Sequence, residues 1–165
     1  MQAGAGTIAM TSLPGRQQEV AFGGPWKRDL GHDMQAIRNS GAVRIVSLME
    51  TLELRAYKVH IEAFSRVAGA LGMAFHHLPI VDGGTPDQIW VRQWQDEGPK
   101  IHQVLAHGNT IAIHCRGGFG RTGTLAAQIL VELGTSPETA IRLVRDARSG
   151  TIETKGQENY IRALE

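Results

Sequence analysis

The stretch His114-Cys115-Arg116-Gly117-Gly118-Phe119-Gly120-Arg121-Thr122-Gly123 decides how this chain reads. An apolar run, Ile111-Ala112-Ile113, enters it as a buried strand, and a second run from Leu125 to Leu133 leaves it as a buried helix. The only cysteine therefore sits where a strand ends in a glycine turn that opens a helix. Such a turn aims successive backbone N–H groups at one anion. Cys115 and Arg121 are separated by five residues, enough loop to wrap a tetrahedral dianion. Gly117, Gly118 and Gly120 are expected to allow positive φ and close backbone approach. Arg121 offers a planar fork matched to two oxygens. The expected oxyanion binders are thus Arg116, Gly117, Gly118, Phe119, Gly120 and Arg121. On the floor of this cup, Cys115 is expected to ionise readily and act as a nucleophile. Two uses are open to Thr122: steadying the sulfur, or capping the helix. His114, at the end of the strand, is expected to lock the loop through hydrogen bonds.

A nucleophile facing a bound phosphoester needs a proton donor for the leaving oxygen. The candidates lie in Leu78-Pro79-Ile80-Val81-Asp82-Gly83-Gly84-Thr85-Pro86-Asp87, which follows an apolar strand from Met73 to Leu78. Asp82, beside two glycines, suits a mobile loop that closes over a substrate. Asp87, after a proline at a helix start, suits capping and the helix dipole. From the residues alone, Asp82 is equally readable as a turn residue.

His114 to Thr122 matches H-C-x-x-G-x-x-R-[ST] at every fixed position. This resembles the signature of the protein tyrosine and dual-specificity phosphatases. Rhodanese-type sulfur carriers have a shorter loop without the arginine–threonine ending. Within the superfamily, Pro79-Ile80-Val81-Asp82-Gly83-Gly84-Thr85-Pro86-Asp87 is similar to the acid loop of the cyclin-dependent-kinase-associated group. Ser12-Leu13-Pro14-Gly15 and Gln157-Glu158-Asn159-Tyr160 match that group as well. The resemblance spans about Thr7 to Leu164. It implies that Asp82 is the general acid and that phosphorylated proteins or peptides are the substrates. The implied reaction runs through a cysteinyl-phosphate, without cofactor or metal. In related enzymes a polar side chain behind the cradle places the hydrolytic water, and Gln157 is the candidate. Thr154 and Gln157 also form a capping-box pair for the last helix. Two other classes are weighed: phosphatases of phosphoinositides or RNA 5′ ends, and a non-catalytic phosphate-binding module. Lipid enzymes often carry two basic loop residues, whereas here Arg116 stands alone between Cys115 and Arg121.

The 165 residues suffice for one domain with a proper core, taken as 1–165. A net charge of +1 argues against nonspecific nucleic-acid binding. One cysteine excludes an internal disulfide and fits a reducing compartment. Met1 to Met10 lacks the pattern of a signal peptide, and no apolar run reaches bilayer length. A cytoplasmic location is expected, with no membrane contact. The histidines lack metal-ligand spacing, and His76 and His77 should face opposite sides of a strand.

Strands alternate with helices along the chain. Ile8-Ala9-Met10 and Val43-Arg44-Ile45-Val46-Ser47-Leu48 read as strands, and the stretch from Pro14-Gly15 through Trp26 shows no clear period. Leu30, Met34 and Ile37 share one helix face, as do Ile61, Phe64, Ala68 and Leu71. The helix opening near Asp87, with Trp90 and Trp94 on one face, is expected to break at Gly98-Pro99. After the cradle, a helix from Thr122 to Leu133 should be central. Ser136-Pro137 opens the next helix, with Ala140, Ile141, Val144 and Ala147 inward. The expected fold is α/β, a mostly parallel central sheet with helices on both faces. The site should lie at the carboxyl ends of the strands, where Asp82 and Cys115 both fall.

Overall fold

The computed structural model describes residues 1–19 and 24–164. It opens with a short pair, β1 (Gln2–Ala3) and β2 (Gly6–Thr11), then a small antiparallel ribbon, β3 (Gln17–Gln18) with β4 (Trp26–Lys27). The ribbon occupies the stretch that showed no period in sequence; residues 20–23 of that stretch lie outside the described residues. Next come α1 (Leu30–Asn39), β5 (Ala42–Ser47), α2 (Thr51–Ala56), α3 (Ile61–Ala70) and β6 (Ala74–His77). The second half holds α4 (Gln88–Ala106), β7 (Thr110–His114), α5 (Gly120–Glu132), α6 (Pro137–Ala147) and α7 (Lys155–Arg162).

The main sheet has the order β1-β2-β7-β5-β6. Only β1 runs antiparallel; β2, β7, β5 and β6 are parallel, so their carboxyl ends share one edge. Strand β7 is central and is buried from Ile111 to His114, which explains its continuous apolar run. On one face Ala112 lies against α1, and His114 stacks on Phe64 of α3 at 5.0 Å. Ile111 and Ile113 point to the other face, against which α4 and α5 pack. Helix α5 is buried from Gly120 to Val131, the central helix expected, though it begins two residues before Thr122.

Helix α4 departs from expectation: it runs unbroken through Gly98 and Pro99. Its buried stripe, Trp90, Trp94, Gly98, Ile101 and Leu105, keeps one face on both sides of the proline. A Cβ at Gly98 would come within 2.8 Å of the Trp94 indole, so this glycine is where that ring fits. Trp90 and Trp94 stack at 5.2 Å, and the Trp94 Nε1–H donates to Glu132 at 2.8 Å. A proline inside a helix costs about 3 kcal/mol, whereas each large apolar side chain returns about 1.5–3 kcal/mol on burial. The stripe outweighs the kink. In α6, Ala140, Ile141 and Val144 are buried as expected, but Ala147 in the last turn is exposed.

Candidate active site

Strand β7 ends at His114 and delivers Cys115, 3% exposed, to the sheet's carboxyl edge. The loop then turns through Gly118, whose φ is +75°. A Cβ there would stand 2.5 Å from the Thr11 carbonyl oxygen, so only glycine lets the loop back onto the end of β2. The Gly118 N–H donates to Cys115 Sγ at 3.3 Å. Leu13 N–H donates to the Arg116 carbonyl at 3.2 Å, tying the loop to the segment after β2.

Arg121 lies in the first turn of α5, its side chain 2% exposed. Its fork donates to both oxygens of Glu53, at 2.7 and 2.8 Å. It also donates to the Ile80 carbonyl at 3.0 Å and to Asp82 Oδ1 at 2.9 Å. Burial opposes the guanidinium charge, but the Glu53 hydrogen bonds and the negative groups around it outweigh burial and raise its pKa. Glu53, on α2, is the residue that sequence reasoning missed. Its one signal is position: a carboxylate a few residues past the carboxyl end of β5, on the edge where such sites form.

Asp82 is half-exposed and spans two guanidiniums, Arg121 and, through Oδ2, Arg116 Nη1 at 3.1 Å. Arg116, expected on the oxyanion, thus holds the acid. The acid loop is docked against the site. Ile80 N–H donates to the Leu48 carbonyl at 3.1 Å, and Gly84 N–H to Val81 at 2.9 Å. The Gly83 and Gly84 carbonyls accept from Thr154 Oγ1 at 3.3 Å and Gln157 Nε2 at 3.1 Å. Asp87 is elsewhere: it is the N-cap of α4, accepting the Trp90 N–H at 2.8 Å.

Gln157 is fully buried and completes the capping box with Thr154. Its amide oxygen takes the Glu153 and Thr154 N–H groups, so the side chain is spent on joining α7 to the acid loop. Glu153 also reaches the cradle, accepting the Gly120 N–H at 2.8 Å, and the Gln157 amide lies beside Gly120 as well. A Cβ at Gly120 would lie 2.5 Å from that carboxylate. Ile152, at φ +57°, turns the backbone just before it. Thr122 is not the helix cap, because Phe119 occupies that position; its hydroxyl is buried without a hydrogen-bond partner among the described residues. The Phe119 ring lies under the Arg148 guanidinium at 4.2 Å, and Arg148 donates to the Gly117 carbonyl at 3.1 Å. His114 makes only a long contact to the Cys115 carbonyl, 3.4 Å, and is held chiefly by Phe64. Burial lowers its pKa to about 3, so the ring is neutral. His76 bonds Glu97 on the α4 side while His77 bonds the Met49 carbonyl. Among the described residues no three His, Cys, Asp or Glu side chains are grouped to hold a metal, and no helix is long and apolar enough to cross a membrane.

The family described as "Tc-R-P: Polymorphic toxin system, DSP-PTPase phosphatase" matches residues 20–135. The chain belongs to this DSP-PTPase phosphatase family. Human cyclin-dependent kinase inhibitor 3 is 34% identical over 140 residues, 82% of this chain and 63% of that protein. The family member described here thus spans under two thirds of the length of that relative. The crystal structure of kinase associated phosphatase, with its catalytic-site cysteine replaced by serine, superposes with a TM-score of 0.79. It is 31% identical and covers 93% of this chain and 83% of its own. Tk-PTP in its active form gives a TM-score of 0.70 at 25% identity, covering 97% and 92% of the two chains. The parallel sheet with helices on both faces is therefore the DSP-PTPase architecture.

Proposed function

We propose that residues 1–165 form one phosphatase domain that hydrolyses phosphomonoesters of proteins, phosphotyrosine foremost, with phosphoserine and phosphothreonine in its range. The observation that carries this reading is the meeting of Asp82 and Arg121 at the loop that holds Cys115. An incoming phosphate dianion competes with Asp82 for the Arg121 fork. The Cys115 sulfur then attacks phosphorus in line as the bond to the leaving oxygen breaks, and Asp82, protonated, gives that oxygen its proton. Arg121 and the loop amides stabilise the equatorial oxygens. In the second half, water attacks the cysteinyl-phosphate, Asp82 takes its proton, and the S–P bond breaks to release phosphate and the thiolate. The buried Thr122 hydroxyl, otherwise without a partner, supports the departing sulfur.

Similarity to a kinase associated phosphatase, within a DSP-PTPase phosphatase family, supports a phosphoprotein substrate. A single cysteine without an internal partner supports a reducing, cytoplasmic setting. The test is p-nitrophenyl phosphate turnover by wild type and Cys115→Ser, with phosphate binding measured on both. Turnover lost in the variant with binding retained supports the reading. Equal inertness of both proteins overturns it in favour of a phosphate-binding module.

A further inference from the structure

Phe119 and the arginine that covers it take no part in the chemistry above. Arg148 stands at the end of α6, and its guanidinium grips the sulfur loop at two points. Nη2 donates to the Gly117 carbonyl at 3.1 Å, and the fork covers the Phe119 ring at 4.2 Å. Its Nε is buried without a partner among the described residues, so the carbonyl and the ring are what this side chain holds. The ring folds back beneath it between two glycines. A Cβ at Gly117 would stand 3.0 Å from Phe119 Cδ2, and one at Gly150 would stand 3.8 Å from Cδ1.

The carbonyl that Arg148 holds belongs to the Gly117–Gly118 peptide unit, whose N–H is the one on Cys115 Sγ. In a planar trans unit the C=O and the N–H point in opposite directions. Drawing the oxygen outward therefore aims the N–H inward, at the sulfur. No side chain within this unit resists its rotation. The ψ of Gly117 and the φ of Gly118 both belong to glycines, and Gly118, at φ +75°, can take negative φ as readily. On either side, the Arg116 carbonyl is fastened by the Leu13 N–H, and the Gly120 N–H by Glu153. Turned over, the unit between them would point a carbonyl oxygen at the sulfur and at any bound oxyanion. One donor would be lost and a repelling dipole gained.

We propose that Arg148 is a positioning residue that keeps the Gly117–Gly118 unit turned with its N–H toward the oxyanion. It acts through the Gly117 carbonyl. Phe119 serves the same end, because stacking narrows the freedom of a long side chain that must hold one bond. The effect on turnover rests on the phosphatase reading above; the effect on the loop and on anion binding does not.

The test compares Arg148→Met, which keeps a long stem and removes every donor, with Arg148→Lys, which returns one. The first measurement is the Gly118 amide resonance in 15N-labelled, unliganded protein. It should move in Arg148→Met and return toward its wild-type position in Arg148→Lys. The second is the dissociation constant for inorganic phosphate, read in a Cys115→Ser background. Arg148→Met should weaken it about ten-fold, the scale of one hydrogen bond to a charged group. The third is kcat, which should fall about 10²-fold, as for a lost oxyanion donor. That loss should be alike on p-nitrophenyl phosphate and on aryl phosphates with poor leaving groups, because the acid is untouched. Arg148→Lys should recover part of both losses. An unmoved Gly118 resonance with unchanged phosphate affinity, whatever the melting temperature does, overturns the proposal. So does an Arg148→Lys protein no better than Arg148→Met. Failure of the phosphatase reading shows separately, as absent p-nitrophenyl phosphate turnover by wild type, while the resonance and the phosphate affinity still decide the role of Arg148.

Discussion

The loop that carries the sulfur and the loop that carries the acid meet at Arg121, yet they are built by opposite means. The sulfur loop takes its path from consecutive residues between β7 and α5, with the Gly118 N–H on Cys115 Sγ. Distant groups hold it by its backbone: the Leu13 N–H and Arg148 on the Arg116 and Gly117 carbonyls, and Glu153 on the Gly120 N–H. The acid loop borrows nearly every hold it has, from Leu48, Arg121, Thr154 and Gln157. A change in the first should strike the chemistry directly. A change far away in sequence, in α7, should strike the second before the first.

The largest effect tests the first half of that contrast. Cys115→Ser should lower kcat by about 10⁴-fold or more, because the nucleophile is lost while the cup remains. Arg121→Lys comes next, lowering kcat/KM by about 10²–10³-fold, since one ammonium cannot replace a fork shared between substrate and Glu53. A lysine variant near wild-type rate would mean that charge alone matters at this position.

Asp82→Asn should cost about 10²-fold on an aryl phosphate with a poor leaving group and much less on p-nitrophenyl phosphate. Asp87→Ala should keep both rates and lose about 1 kcal/mol of stability as a lost cap, read by denaturant melts. The opposite pattern would hand the acid role to Asp87.

Gln157→Ala sharpens the comparison. It removes the hydrogen bonds to the Gly84 carbonyl and the Glu153 N–H, both only part-buried, at about 0.5–1.5 kcal/mol each, and releases the acid loop. Its rate loss should resemble that of Asp82→Asn, larger for poor leaving groups. An equal loss on every substrate would show that α7 supports the sulfur loop instead.

The smallest effect is a pH dependence of stability. Folded, His114 binds its proton only near pH 3, because burial opposes the charge. Unfolded, it does so at about 6.5. The unfolded chain therefore takes up the proton first, and stability falls as pH drops from about 6.5 toward 3, at up to about 1.4 kcal/mol per pH unit. His76, also lowered by burial, adds a dependence of the same sign. Above pH 6.5 neither contributes a slope. Melting temperatures of wild type and His114→Asn from pH 7 to 4 should converge as pH falls, and parallel curves would contradict the assignment.

How legible each part was follows from how local its cause is. The cradle is written in consecutive residues, so its motif, the strand before it and the helix after it could all be read directly. The capping box at Thr154 and Gln157 and the N-cap at Asp87 are equally local, and both stand in the structure. Helix α4 was misjudged at Pro99 because a proline is a local signal, whereas Trp94 stacking over Gly98 is visible only once the helix is packed. Glu53 was invisible for the same kind of reason. Nothing beside it in sequence marks it, and 68 positions separate it from the arginine it grips. Glu153 was equally invisible: its carboxylate accepts the Gly120 N–H of the cradle because the backbone turns at Ile152, which no local pattern announces.

Short-range chemistry therefore settled from sequence which residue is the candidate nucleophile, which cation stands with it, and that both lie at the carboxyl edge of a parallel sheet. Those features depend on neighbours a few bonds away and on the period of apolar residues. What holds Arg121 in line and where the acid rests were decided by folding alone. Ion pairs and hydrogen bonds between distant segments depend on distances in space, and those distances exist only after α2, α7 and the segment behind β2 have been brought to the same edge.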